Sequence, residues 1–169
     1  MWKTAWDALV VAFAVTVAVG DVRWRKIPRV LTTTAVAVGL LFHLVQGGFL
    51  SALVASLIGF GLGLSFFQLG AIGGGDVKLI TAMGALLGFD KWLRAMEVAI
   101  LAAALIGIMQ ALRRGVLRQT LSNVGELVRW LVGKGGIAHP LIHVENQAMV
   151  RAPFGIAAAL GTVFAIWKP

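Results

Sequence analysis

A chain of 169 residues, 59% of them hydrophobic and 13% charged, with a mean hydropathy of +0.90, is too apolar for a soluble domain, where those shares run at about 45–50% and 25%. At about 20 residues per crossing, the length holds roughly six membrane helices with short loops and excludes a large domain outside the bilayer. Zero cysteines exclude disulfides, cysteine-held zinc and a cysteine nucleophile; the net charge of +8, suggestive of nucleic acid in a soluble protein, here raises the question of where the basic residues lie.

The expected fold is an all-α membrane protein. Residues 1–19 hold one Lys, an early Asp7 and no small-residue cleavage site before the basic cluster, so they read as a retained first helix and not as a cleaved signal. Apolar runs at 5–20, 30–45, 49–69, 77–89, 93–112 and 153–167 predict about six transmembrane helices, of which 77–89 is short for a full span. Between 112 and 136, Leu117, Leu121, Val124, Val128 and Leu131 recur at helical spacing while Arg118, Ser122 and Arg129 take other faces. This predicts an amphipathic helix on the cytoplasmic surface, suited to anionic membrane lipid. A polar, glycine-rich loop over 133–151 precedes the last helix.

With the amino terminus outside, Arg23, Arg25, Lys26, Arg29, Lys78, Arg113, Arg114, Arg118, Arg129, Lys134 and Arg151 fall on the cytoplasmic side, and Lys3, Lys91, Arg94 and Lys168 outside. That asymmetry places both termini outside. Trp2, Trp6, Trp24, Trp92 and Trp167 fall at predicted helix ends, as an aromatic belt does. Gly59, Gly61 and Gly63 in the third helix, with Gly84 and Gly88 in the fourth, suit close helix packing.

Five of the seven acids have ordinary places: Asp7, Asp90 and Glu97 near outer helix ends, Glu126 on the amphipathic helix and Glu145 in the loop. Asp21 ends the first apolar segment, and Asp76 stands between Gly73-Gly74-Gly75 and the run 77–89, both on the cytoplasmic side. An acid at membrane depth costs about 2.5–3.5 kcal/mol on insertion scales and marks a polar, functional place. If the two meet, they share a proton, as the dyad of an aspartic protease does; alternatively each pairs with a local base such as Arg23 or Lys78. His139 and His143, four apart, with Glu145 have metal-ligand character, but Pro140 between them argues against a helical site, and no cofactor or metal is expected. His43 reads as an interfacial or buried polar residue.

Gly73-Gly74-Gly75-Asp76-Val77-Lys78-Leu79, a GxGD pattern opening a helix, together with Asp21, Arg23, Arg25 and Ile27-Pro28 before it and Pro153-Phe154-Gly155-Ile156-Ala157 opening the last helix, resembles the type IV prepilin peptidases, especially the short single-domain kind of tight-adherence pilus systems. Arg29 stands where that family often has Asn, and Phe154 where it often has Tyr.

The resemblance implies one polytopic membrane peptidase domain over residues 1–169, in the cell (inner) membrane with its active site on the cytoplasmic side. Asp21 and Asp76 would be catalytic, supported by Gly73, Gly75, Lys78, Pro28, Pro153 and Gly155. The implied partners are prepilin or pseudopilin substrates, cut between a basic leader and a hydrophobic helix, and membrane lipid; nucleic acid is not expected. Larger members also methylate the new amino terminus and carry an added cytoplasmic domain with cysteine pairs. The absence of cysteines and the short 21–29 segment argue against methylation here. The rival reading is a small proton or cation transporter or channel subunit using the same acids.

Overall fold

The computed structural model describes residues 2–24, 28–134 and 154–168 of the chain. Among these the chain forms seven helices and no strand: α1 (Trp2–Trp24), α2 (Arg29–Val45), α3 (Phe49–Gln68), α4 (Gly74–Leu87), α5 (Phe89–Arg113), α6 (Leu117–Lys134) and α7 (Phe154–Trp167). Three of them, α1, α3 and α5, are long and apolar enough to cross a membrane, and α2 and α7 are shorter apolar helices. The most apolar stretches of the three long helices are only 28%, 28% and 22% buried inside the bundle. Their remaining apolar surface points outward, which fits lipid and not water.

The shortest apolar run of the sequence becomes the centre of the fold. Helix α4 packs against α2, α3, α5 and α7, and Val77, Leu79, Ala82, Met83, Leu86 and Leu87 are all buried. Its 14 residues rise about 21 Å, less than the roughly 30 Å of a bilayer core, so its ends lie among protein side chains. The free backbone groups of a helix end must be satisfied there by protein. At the end of α4 the Leu86 carbonyl accepts from Trp6 Nε1–H at 3.1 Å, and His43 Nε2 lies 3.2 Å from the same oxygen. Since a carbonyl only accepts, that histidine nitrogen carries the proton. The chain then reverses through Gly88, at φ +71°, and the Phe89 N–H opening α5 donates to Ser51 Oγ at 2.9 Å.

Glycines set the seams around this centre. A Cβ on Gly39 would sit 2.6 Å from the Ala85 carbonyl group across α2 and α4, and one on Gly84 would sit 2.6 Å from Ala55 backbone across α3 and α4. Gly59 and Gly63 approach Ile80 and Val77 on the same seam, and Gly161 of α7 meets the Ala95 carbonyl of α5. One of the glycines read as packing residues differs: Gly61 faces open space, whereas Gly88 both serves the turn and lies close to the Ser51 and His43 side chains.

Long-range contacts give the helix directions. Lys91 Nζ at the start of α5 pairs with Asp7 of α1 at 3.3 Å, and an Arg94 guanidinium N–H donates to the Lys168 carbonyl just past α7 at 3.0 Å. The other end of α1 meets the start of α7, where Gly155 N–H donates to Asp21. One end of the bundle thus gathers Asp7, Lys91, Arg94 and Lys168, and the opposite end gathers Asp21, Asp76, Lys78 and Arg113.

The tryptophans divide differently from a uniform belt. Trp24 and Trp167 are 64% and 85% exposed at helix ends, whereas Trp92 is 3% exposed with its Nε1–H donating to the Ile80 carbonyl. Trp6 stacks on Phe42, centroids 3.7 Å apart. Both inward rings have a backbone carbonyl to satisfy, which proximity to a helix end does not reveal. Helix α6 covers the segment read as amphipathic; it leaves α5 through Gly115, at φ +69°, and keeps Leu121 and Val124 exposed.

Candidate active site

Asp21 lies within α1, which continues past the apolar segment to Trp24. It is half-buried and stands one turn beyond Val17, on the same face. Val17 and Phe13 of α1, Leu79 and Met83 of α4, and Ala158 and Thr162 of α7 line a narrow apolar crevice between the three helices. Asp76, also half-buried, stands one turn before Leu79 on α4. Two helices running in opposite directions therefore carry their acids to the same end of one crevice.

Local sequence explains how Asp76 is held. Gly73 is extended (φ −83°, ψ 157°) and caps α4, so Asp76 occupies the third helical position. From there its Oδ2 reaches back to accept the Gly73 N–H at 3.0 Å, the side-chain half of a capping box. Gly74 packs beneath Phe67, whose ring would stand 3.6 Å from a Cβ added there, and Gly75 is half-buried in the first turn.

Asp21 is held from another helix. Its Oδ2 accepts the backbone N–H of Gly155, in the first turn of α7, at 2.7 Å. Gly155 is buried, and the approach leaves no room for a side chain: a Cβ would lie 2.7 Å from Asp21 Cβ and 2.9 Å from its Oδ2. The sequence marks Gly155 only as part of the motif opening the last helix, with no sign of which residue it meets.

Among the described residues neither acid has an ion-pair partner. Arg23 lies over the Trp24 ring at 5.6 Å instead, and Lys78, Pro28 and Arg29 are exposed. The alternative in which Arg23 and Lys78 neutralise the two acids is thus not the arrangement found. No group of three or more His, Cys, Asp or Glu with metal-holding geometry occurs among the described residues. Arg25, Lys26, Ile27, Pro153, His139, His143 and Glu145 lie outside them.

Two half-buried carboxylates at the same end of the bundle, each with one oxygen tied to a backbone N–H, can divide the work of general base and general acid on a water molecule and a polarised carbonyl.

Comparison with known proteins adds an independent finding. The type IV leader peptidase family matches residues 8–109, a stretch that contains both Asp21 and Asp76. The chain is 31% identical over 124 residues to the prepilin leader peptidase/N-methyltransferase of Neisseria gonorrhoeae, covering 66% of this chain and 41% of that protein. It is 32% identical over 138 residues to the protein of the same name from Pectobacterium carotovorum subsp. carotovorum, covering 75% of this chain and 48% of the relative. The chain thus spans less than half the length of the curated relatives it matches. No solved structure matches it.

Proposed function

The chain belongs to the type IV leader peptidase family, and we propose that it is a membrane aspartic endopeptidase that removes the basic leader of prepilin-like substrates, with Asp21 and Asp76 as its dyad. The observation that carries this reading is the delivery of these two acids, from α1 and α4, to one end of the crevice without a cationic partner among the described residues. A structural carboxylate at that depth would be expected to carry a counter-ion.

In the reaction, the ionised carboxylate takes a proton from the water whose oxygen attacks the scissile carbonyl carbon. The protonated partner gives its proton to the developing oxyanion. Collapse of the tetrahedral intermediate breaks the C–N bond, the departing nitrogen takes up a proton, and the products are the leader carboxylic acid and a new amino terminus. No metal or cofactor takes part.

The excess of Lys and Arg at the end of the bundle that holds the dyad supports a cytoplasmic position for that end, with both termini outside, matching a leader that stays cytoplasmic. Six helices then cross the bilayer, with α4 crossing inside the bundle, and α6 lies on the cytoplasmic lipid surface. Lys78, exposed two residues after Asp76, extends toward the interface. The short connection between Asp21 and Arg29 and the absence of cysteines favour peptidase activity without methylation. The transporter reading finds no support, since the matched family and both relatives are named peptidases.

The test is cleavage of a prepilin in detergent by wild type, Asp21→Asn and Asp76→Asn, read by mass spectrometry of the new amino terminus. Wild type is expected to cut just before the hydrophobic segment and each Asn variant to lose cutting. A variant cutting at the wild-type rate removes that residue from the mechanism.

A further inference from the structure

We propose that Gly155 is a positioning residue of the reaction, acting through Asp21: the first turn of α7, not α1 alone, sets where the Asp21 carboxylate stands. The proposal rests on the dyad reading above and deepens it.

The two acids are anchored in different ways. Asp76 is tied to Gly73, three residues away in the cap of its own helix, so its geometry is local. Asp21 is tied to a residue 134 positions away on another helix, so its geometry depends on how α7 docks. The N–H of Gly155 has no carbonyl to bond within α7, because the first four amides of any helix lack intrahelical partners. At 2.7 Å to a carboxylate oxygen it makes a short bond of the charge-assisted kind at the positive end of a helix. That bond occupies Oδ2 and leaves Oδ1 for the chemistry.

Sterics make the dependence sharp. The atom that an added Cβ would strike first is Asp21 Cβ, at 2.7 Å. This is the root of the side chain, which cannot swing aside as a flexible tip can. Any residue other than glycine at 155 must move Asp21, α1 or α7. Helix α7 is itself keyed at other points, by Gly161 against the Ala95 carbonyl and by Arg94 holding the Lys168 carbonyl. The displacement is therefore directed onto the carboxylate.

The test is Gly155→Ala in the full chain, assayed beside wild type and Asp21→Asn on a synthetic prepilin peptide of basic leader plus hydrophobic segment. Misplacing a catalytic group by about 1 Å costs on the order of a hundredfold in turnover. The expected result is a fall in kcat of that order with KM within about twofold. A purely structural glycine would instead lower the amount of folded enzyme and leave kcat per folded molecule unchanged. A second readout, thermal unfolding of Gly155→Ala, Asp21→Gly and the pair, stands even if Gly155→Ala alone does not fold. Asp21→Gly removes the Cβ that the alanine at 155 strikes first, so that alanine is expected to lower Tm less in the Asp21→Gly background.

A wild-type kcat in Gly155→Ala, or an equal Tm penalty in both backgrounds, overturns the proposal. If Asp21→Asn is inactive while Gly155→Ala turns over normally, positioning by α7 fails and the dyad stands. If Asp21→Asn itself cuts normally, the dyad reading fails first.

Discussion

Trp6 of α1 donates its indole N–H to the carbonyl oxygen of Leu86 at 3.1 Å, closing the end of the central helix farthest from the two acids. His43 of α2 reaches the same oxygen and lies edge-on to Trp6. Two side chains from two helices thus hold one carbonyl that has no intrahelical partner. Trp6→Phe keeps most of the stacking on Phe42, and His43→Leu keeps the volume. Each alone is expected to cost about 1 kcal/mol, because the other donor remains. The double variant is expected to cost more than the sum, by about 1–3 kcal/mol, because the carbonyl is then left unpaired in apolar surroundings. Unfolding of the four proteins in one detergent measures this; strict additivity would show that the two donors do not share the oxygen.

The seam glycines give a contrast within a single helix pair. A methyl group on Gly84 would press on Ala55 carbon and Ser56 nitrogen at 2.6 and 2.7 Å, which are backbone atoms of α3, whereas Gly61 on α3 has open space before it. Gly84→Ala is expected to destabilise by about 1–3 kcal/mol, since the helices must separate. Gly61→Ala is expected to stay within about 0.5 kcal/mol. Equal effects at the two positions would mean that α3 and α4 do not pack as described.

The sequence anticipates these helices closely because long apolar runs interrupted by charges and glycines have few alternatives to helix in a bilayer. It also singles out Asp21, Asp76 and Gly155 through their motifs. It does not reveal that the short run 77–89 is the most surrounded helix. An apolar side chain looks the same whether it faces lipid or protein, so hydropathy carries no inside or outside in a membrane. For the same reason Trp6 and Trp92 read like Trp24 and Trp167 until the carbonyls of Leu86 and Ile80 are placed, and Gly61 reads like Gly59 and Gly63. The bond between Asp21 and Gly155 joins the two ends of the chain and has no local signature at all.

The pair between Lys91 and Asp7 has side chains 36% and 29% exposed, and such pairs contribute about 0–1 kcal/mol. Lys91→Met is expected to lower stability by less than about 1 kcal/mol, and the difference is expected to shrink as salt rises from low to physiological strength and beyond. Cleavage should be unaffected, because the pair sits at the end of the bundle opposite the two acids. A larger, salt-independent loss would mean that the pair is shielded from solvent in the membrane.

Orientation is open to a direct test because the chain has no cysteine, so a single introduced thiol is the only one a maleimide can label. Lys3, Lys168 and Lys78 lie near the helix ends, and Arg114 lies in the exposed turn after α5. With the basic end in the cytoplasm, Lys3→Cys and Lys168→Cys are expected to react in intact cells with a membrane-impermeant reagent, and Lys78→Cys and Arg114→Cys only after the membrane is opened. The reverse pattern would put Asp21 and Asp76 on the outer face, away from a leader held in the cytoplasm, and would count against the proposed peptidase reading as well as the topology. Labelling of Lys3→Cys and Lys168→Cys from opposite sides would break the six-helix count itself, since an even number of crossings returns the chain to the side where it began.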